Sequence, residues 1–301
     1  MSNETGHERL WTPWRMRYVA GNAKEEGCIF CHRVHAHDDV SSLILHRDQH
    51  CFVIMNLYPY NTGHIMIVPN QHADDLDQLD AATLHEMADV LPIATRALKR
   101  VLSCQGFNVG LNIGSVAGAG VAEHLHQHVV PRWVGDANFM PIIASTMVMP
   151  ELIPASYAKI RAELHRELSE DPDCTLLILV DDDTKIVMAK GALPTCSAAQ
   201  DQSIWKAAMS AIGGWATEIE IASWAGPTSA SQSAAQDAAS GLALRAHIGN
   251  CDLLPGEMTL VRFDEVISAP LSIQDRAIIE NGILHLTPGI ARPVEGGESG
   301  F

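Results

Sequence analysis

The sequence predicts an α+β fold: an antiparallel sheet carrying one long helix, followed by a smaller C-terminal α+β domain. Three observations carry this. Short apolar runs separated by turn residues recur between residues 42 and 68 and again between 108 and 130. One long stretch, Leu76 to Leu102, repeats its apolar residues at three and four instead. The polar segment Ser169-Glu-Asp-Pro-Asp173 then interrupts the pattern, and at 301 residues the chain exceeds the usual size of one domain. The predicted domains are 1–170 and 171–301.

The first part opens with Trp11-Thr-Pro-Trp-Arg-Met-Arg-Tyr18, an aromatic and basic cluster suited to packing on a core or a partner subunit. Strands are predicted at Ser42–Leu45, Cys51–Met55 and His64–Val68, with Tyr58-Pro-Tyr-Asn-Thr-Gly63 as a turn between the last two. The Leu76–Leu102 helix contains Pro92, where a kink is predicted. Asn108–Gly114 and Glu123–Val130 read as two further strands joined by Ser115-Val-Ala-Gly-Ala-Gly120. Pro150–Leu168 is amphipathic and helical. Beyond the break, Cys174–Val180 and Lys185–Lys190 flank Asp181-Asp-Asp-Thr184 as a hairpin. Ser203–Ile219 reads as a helix weakened by Gly213-Gly214, residues 225–241 as a loop or loosely held helix, Val261–Ile267 as a strand and 293–301 as a frayed tail. There is no internal repeat.

Bulk properties narrow the function. The formal charge of −16 argues against a general nucleic-acid binder, although a small anion could bind through backbone amides and imidazoles. No apolar run has the length of a membrane span, and the first residues do not read as a signal peptide. Seven cysteines without the spacing of small secreted domains imply a reducing, cytoplasmic setting. Thirteen of the fifteen histidines precede residue 170, so the chemistry is expected in the first part. The remainder is acidic, with seven Lys plus Arg against seventeen Asp plus Glu. Its Asp181-Asp-Asp183 is compatible with a divalent ion or, more simply, with a turn.

The most specific feature is His124-Leu-His-Gln-His128, followed by Val129-Val-Pro131. On a strand the three imidazoles share one face. Polar rings that titrate near neutrality are costly there unless they do something. Two chemistries justify them: a metal site, or a nucleophilic histidine whose neighbours set its tautomer. A solvated strand is the plain alternative, disfavoured by the Val pair that follows. Cys28-Ile-Phe-Cys31 is a second constellation, since two thiolates at this spacing can hold a zinc ion. Redox and buried-thiol readings share the spacing. Histidines would complete a zinc site, with His72 and His124 as candidates.

His-x-His-x-His followed by two apolar residues and Pro131-Arg-Trp133 resembles the histidine triad (HIT) superfamily of nucleotide hydrolases and transferases. Asn56-Leu-Tyr-Pro-Tyr-Asn-Thr-Gly-His-Ile-Met-Ile-Val-Pro-Asn-Gln-His72 resembles that family's strand pair, and Cys28-x-x-Cys31 its prokaryotic zinc knuckle. The resemblance spans residues 10–168. Trp11-Thr-Pro-Trp-Arg-Met16, Ala122-Glu-His-Leu-His126 and Pro131-Arg-Trp-Val-Gly-Asp-Ala-Asn-Phe139 are similar to the actinobacterial diadenosine tetraphosphate phosphorylase branch. The C-terminal part resembles no family.

The resemblance implies a HIT-like sheet and phosphorolysis of diadenosine tetraphosphate to ATP and ADP through a nucleotidyl-histidine. Hydrolysis of dinucleoside polyphosphates or nucleoside phosphoramidates is the alternative, and a non-catalytic nucleotide-binding protein is the rival from another class. By the same resemblance His126 is the nucleophile, with its far ring nitrogen held by an acceptor such as a backbone carbonyl. His128 lies beside the phosphate oxygens and His64 orients a triad neighbour. Cys28, Cys31, His72 and His124 hold structural zinc. Asn56 meets the ribose, Phe30, Ile54 and Leu57 line the base pocket, and Asn112 with Gly114 contacts phosphate. The implied partners are a dinucleoside polyphosphate, inorganic phosphate and a second copy in a homodimer, with neither nucleic acid nor membrane. The chain departs from the pattern at Gln127, where an apolar residue is usual, and at Gly120 and Val121, where many relatives carry Ser or Thr. The C-terminal domain is expected to regulate, to form interactions or to act as a substrate lid.

Overall fold

The computed structural model describes residues 27–36, 38–136, 151–180, 184–213, 215–216, 218–225, 241–247, 254 and 256–286. The aromatic and basic cluster at residues 11–18, the acidic turn 181–183, most of 225–241 and the tail lie outside these residues.

Helix α1 (Ile29–His35) and the short α2 (Asp39–Ser42), capped by the Asp38 carboxylate, lead into β1 (Ile44–Arg47), β2 (Cys51–Met55) and β3 (Ile65–Pro69). Helix α3 (Ala81–Leu102) follows, then β4 (Gly106–Leu111) and β5 (Gln127–Arg132). These strands form one antiparallel sheet in the order β1-β2-β3-β5-β4. Strands β2 and β3 are buried along their whole length because both faces are covered. Val53, Met55, Ile65 and Ile67 face the core beneath α3, while Phe52, Ile54, Met66 and Val68 pack with Phe30 of α1 on the other side. Fully burying each such side chain contributes about 1.5–3 kcal/mol.

Helix α4 (Ile153–Ser169) crosses behind this sheet and also packs on a second one. That sheet comprises β6 (Asp173–Val180), β7 (Lys185–Ala189), β9 (Glu218–Trp224), β10 (Gly241–His247) and β11 (Met258–Arg262) in the order β11-β7-β6-β10-β9. Strand β8 (Thr195–Ser197) pairs with β6 beside it. Its pairs are antiparallel except β10 with β6. Helices α5 (Ile204–Ile212), α6 (Phe263–Ser268) and α7 (Ile273–Leu286) complete the described elements. One buried apolar cluster runs from Leu45 and Val53 through Tyr157, Ile160 and Leu164 of α4 to Leu176 and Leu244. The change of sheet falls between Arg132 and Asp173, and α4 spans it.

Several boundaries differ from expectation. The first strand is Ile44–Arg47 rather than 42–45, because Asp38 caps the turn of helix that ends at Ser42. The predicted Leu76–Leu102 helix is divided. Leu76–Gln78 is a 3-10 turn, Leu79 is extended, and Asp80 accepts from Thr83 N (2.8 Å) to cap α3. Helix α3 then continues through Pro92, which stands on its exposed side. The C-terminal helix stops at Ile212, and residues 218–224 are a strand. Val261–Ile267 is divided between the end of β11 and α6. The histidine strand begins only at Gln127: Leu125 N donates to Ala73 O (2.6 Å) instead of entering the sheet. His124 and His126 therefore lie in the approach to β5, and only His128 is on the strand.

Candidate active site and metal centre

Each histidine of the motif is held differently. Ahead of β5, His124 turns its Nε2 towards the carbonyl of Pro69 at the end of β3 (3.0 Å). If this nitrogen carries the proton, Nδ1 presents a lone pair to the Cys28 and Cys31 sulfurs, at 3.2 and 3.7 Å. His72 Nδ1 lies 3.3 Å from Cys31 Sγ. Cys28 immediately precedes α1 and Cys31 lies one turn along it. Two sulfurs and two imidazole nitrogens thus converge within 4.8 Å of one another, a donor set and number that suit a tetrahedral structural zinc ion.

Two residues on, His126 is buried and its Nδ1 donates to the carbonyl oxygen of His124 (2.8 Å). That fixes the tautomer and leaves Nε2 as an unprotonated nitrogen with a free lone pair. Burial lowers the pKa of this imidazole, favouring the neutral form a nucleophile needs. The Phe30 ring lies beside it, with centroids 5.1 Å apart.

His128 and His64 form a pair. On β3 side chains alternate, so His64, just before the strand, faces the same way as Met66. Met66 is the register partner of His128, which brings His64 Nε2 within 3.0 Å of His128 Nδ1. Gly63 permits this entry: its φ is +72°, and a Cβ there would stand 2.3 Å from Leu102 Cδ1. Two donors converge on His64 Nδ1, the backbone N–H of Tyr60 (3.0 Å) and Asn56 Nδ2 (3.3 Å). The Asn56 orientation is set in turn by Tyr58 N, which donates to Oδ1 (2.9 Å). Since His64 Nδ1 accepts, its Nε2 carries the proton and donates to His128 Nδ1, so His128 Nε2–H is a donor. Asn112 Nδ2 lies 3.4 Å from that nitrogen, a donor facing a donor, so the two groups flank a position for an acceptor oxygen rather than bonding each other. Burial, reinforced by the neighbouring imidazoles, lowers His64 to about 3 and His128 to about 4.

The apolar residues divide. Phe30 and Ile54 share one buried cluster, whereas Leu57 packs against the larger core beneath α3. Residues not singled out from the sequence also take part. Tyr60 stacks on His64, with centroids 4.9 Å apart and planes inclined by 28°. The Pro69 and His124 carbonyls set two tautomers. Nothing in Tyr58-Pro-Tyr-Asn-Thr-Gly63 beyond a turn composition signals that the Tyr60 ring folds back.

A family model for the HIT domain matches residues 38–134. The chain is 40% identical over 153 residues to the AP-4-A phosphorylase of Mycobacterium tuberculosis, covering 48% of this chain and 78% of that protein.

This chain belongs to the histidine triad family.

Other relatives of the HIT chain include an adenylylsulfatase of Arabidopsis thaliana, 27% identical over 114 residues, covering 38% of this chain and 56% of that protein. Among solved structures, a zinc-bound histidine triad family protein from Mycobacterium smegmatis is 27% identical with a TM-score of 0.39, over 48% of this chain and 98% of that one. HIT membership, with a phosphorylase among the relatives, supports a nucleotide-handling role. Among the described residues no helix is long and apolar enough to cross a membrane.

Proposed function

We propose that this HIT enzyme transfers a nucleotidyl group through His126 and cleaves diadenosine tetraphosphate with phosphate to give ATP and ADP. The observation that carries the reading is the Nδ1 bond of His126 to the His124 carbonyl, which leaves Nε2 free to attack. The 40% identity to an AP-4-A phosphorylase supports the choice of substrate.

In the first half-reaction the Nε2 lone pair forms a bond to the α-phosphorus as the bond to the bridging oxygen breaks, and ATP leaves. The His128 Nε2–H donates to the oxygens on which negative charge grows. In the second half-reaction a phosphate oxygen attacks the adenylyl group, the N–P bond breaks, ADP leaves and His126 regains its lone pair. In this reading Asn112 would hold a phosphate oxygen and Asn56 would reach a ribose hydroxyl, while Phe30 and Ile54, which share one buried cluster, would line the base site; Leu57, predicted with them, packs against the core on the other side of the sheet. Zinc at Cys28, Cys31, His72 and His124, when bound, ties α1 to the segment carrying His126. A zinc ion held there would serve as a structural tie. A homodimer is supported by strand β4 at the sheet edge, where Val109 is exposed.

The deciding experiment is incubation with diadenosine tetraphosphate with and without phosphate. ATP plus ADP, formed only with phosphate, is expected, and His126→Asn should remove the activity by at least about a thousandfold. ATP plus AMP without phosphate would establish a hydrolase instead, a reading favoured by the adenylylsulfatase relative. No turnover of either kind would leave a non-catalytic binding protein.

A further inference from the structure

The rings at the site form an unbroken series. Phe30 stands 5.1 Å from His126, His126 4.8 Å from His128, His128 5.1 Å from His64, and His64 4.9 Å from Tyr60. The two ends of the series differ. Phe30 is 4% exposed and packed among Phe52, Ile54 and Met66, whereas Tyr60 is 52% exposed, among the most exposed large apolar side chains described. One face of the Tyr60 ring lies on His64, and half of the residue remains open to solvent beside His128, 5.7 Å away.

Covering an exposed aromatic ring with a second apolar surface is favourable. Here the ring lies at the end of the histidine series opposite the buried Phe30 cluster. A dinucleoside polyphosphate has two nucleobases joined by a flexible anionic chain, so it needs a second apolar platform if both bases are to be recognised. We propose that the outer face of Tyr60 is that platform: it stacks the nucleobase of the leaving nucleotide and so makes the site selective for dinucleoside over mononucleoside polyphosphates. This rests on the nucleotidyl-transfer reading above for the identity of the ligands. Its own content is a difference in binding, whatever the fate of the adenylyl group.

The test compares diadenosine tetraphosphate with adenosine 5′-tetraphosphate, which keeps one base and the same number of phosphates. Affinities are measured calorimetrically in the His126→Asn background, where neither ligand is consumed. Stacking one base on one aromatic ring is roughly a tenfold effect in affinity. The chain with Tyr60 should therefore prefer the dinucleotide by about tenfold, Tyr60→Leu should abolish the preference by weakening the dinucleotide about tenfold more than adenosine tetraphosphate, and Tyr60→Trp should restore it. Equal weakening of both ligands by Tyr60→Leu would show that the ring only props His64, and would overturn the proposal. So would an unchanged preference, or the absence of any preference in the parent. Because the readout is binding, absence of turnover in the phosphate experiment would sink the catalytic reading without deciding this one.

Discussion

At the scale of single residues, the site is controlled by where protons are not. His64 and His128 are neutral near pH 7, their values lowered to about 3 and about 4 chiefly by burial. An imidazole in an unfolded chain titrates near 6.5. Below that pH the unfolded chain takes up protons that the folded one refuses, so stability falls as the pH drops from about 6.5 through 4 to 3. Melting temperatures measured from pH 7 to 4 should therefore decline, and His64→Asn should decline less steeply over the same interval. A slope unchanged by that substitution would mean that His64 is already charged in the fold. Function should follow the same limit, with turnover lost on the acid side as His128 protonates and its Nδ1 can no longer accept from His64.

At the scale of elements, the knuckle and the approach to β5 act as one unit. Cys28 and Cys31 sit at the start of α1, and the four candidate ligands come from three separate segments. A chain that binds zinc should contain about one ion per protomer by elemental analysis, falling close to zero in Cys28→Ser. Because His124 also supplies the carbonyl that holds His126, the same substitution should reduce activity as well as metal content. Metal-free protein with full activity would refute this coupling. Much of this was legible in the sequence. The Cys-x-x-Cys spacing, the Gly-His pair and the three histidines each pointed to residues that the fold assembles, and strict apolar runs located β2 and β3. What the sequence concealed was long-range. The start of β5 is moved by a single bond from Leu125 N to Ala73 O, which no local pattern encodes. The 3-10 turn before α3 was hidden because Leu76 and Leu79 continue the helical spacing while Asp75 and Asp80 impose caps. Leu57 satisfies an apolar pattern equally well on either side of the sheet.

At the scale of the whole molecule, α4 makes the two sheets interdependent. Its Tyr157, Ile160 and Leu164 belong to a buried cluster with residues of both. Glu163 accepts from Ile204 N of α5 (3.0 Å) and pairs with Arg166 (3.1 Å) on its own helix. Arg161 reaches back to the buried Asp39 (3.2 Å), which Arg47 also contacts (2.7 Å). Calorimetry of the full chain should accordingly show one cooperative transition rather than two. Two resolved peaks would show that residues 171–301 melt on their own, as the change in composition after Asp173 alone suggests.

The bond from Tyr60 N–H to His64 gives the histidine pair a fixed direction. The hydrogens along it run from the Tyr60 backbone through His64 to His128 Nε2. With values lowered to about 3 and about 4, a pair wired this way offers a hydrogen bond near pH 7 and is a poor base for an incoming water molecule. A nucleophile that arrives already anionic has no such need. Inorganic phosphate meets that condition near neutral pH and water does not. Resolution of the proposed adenylyl-histidine should therefore accelerate with the ionisation of the phosphate supplied, rather than with that of any imidazole in the site.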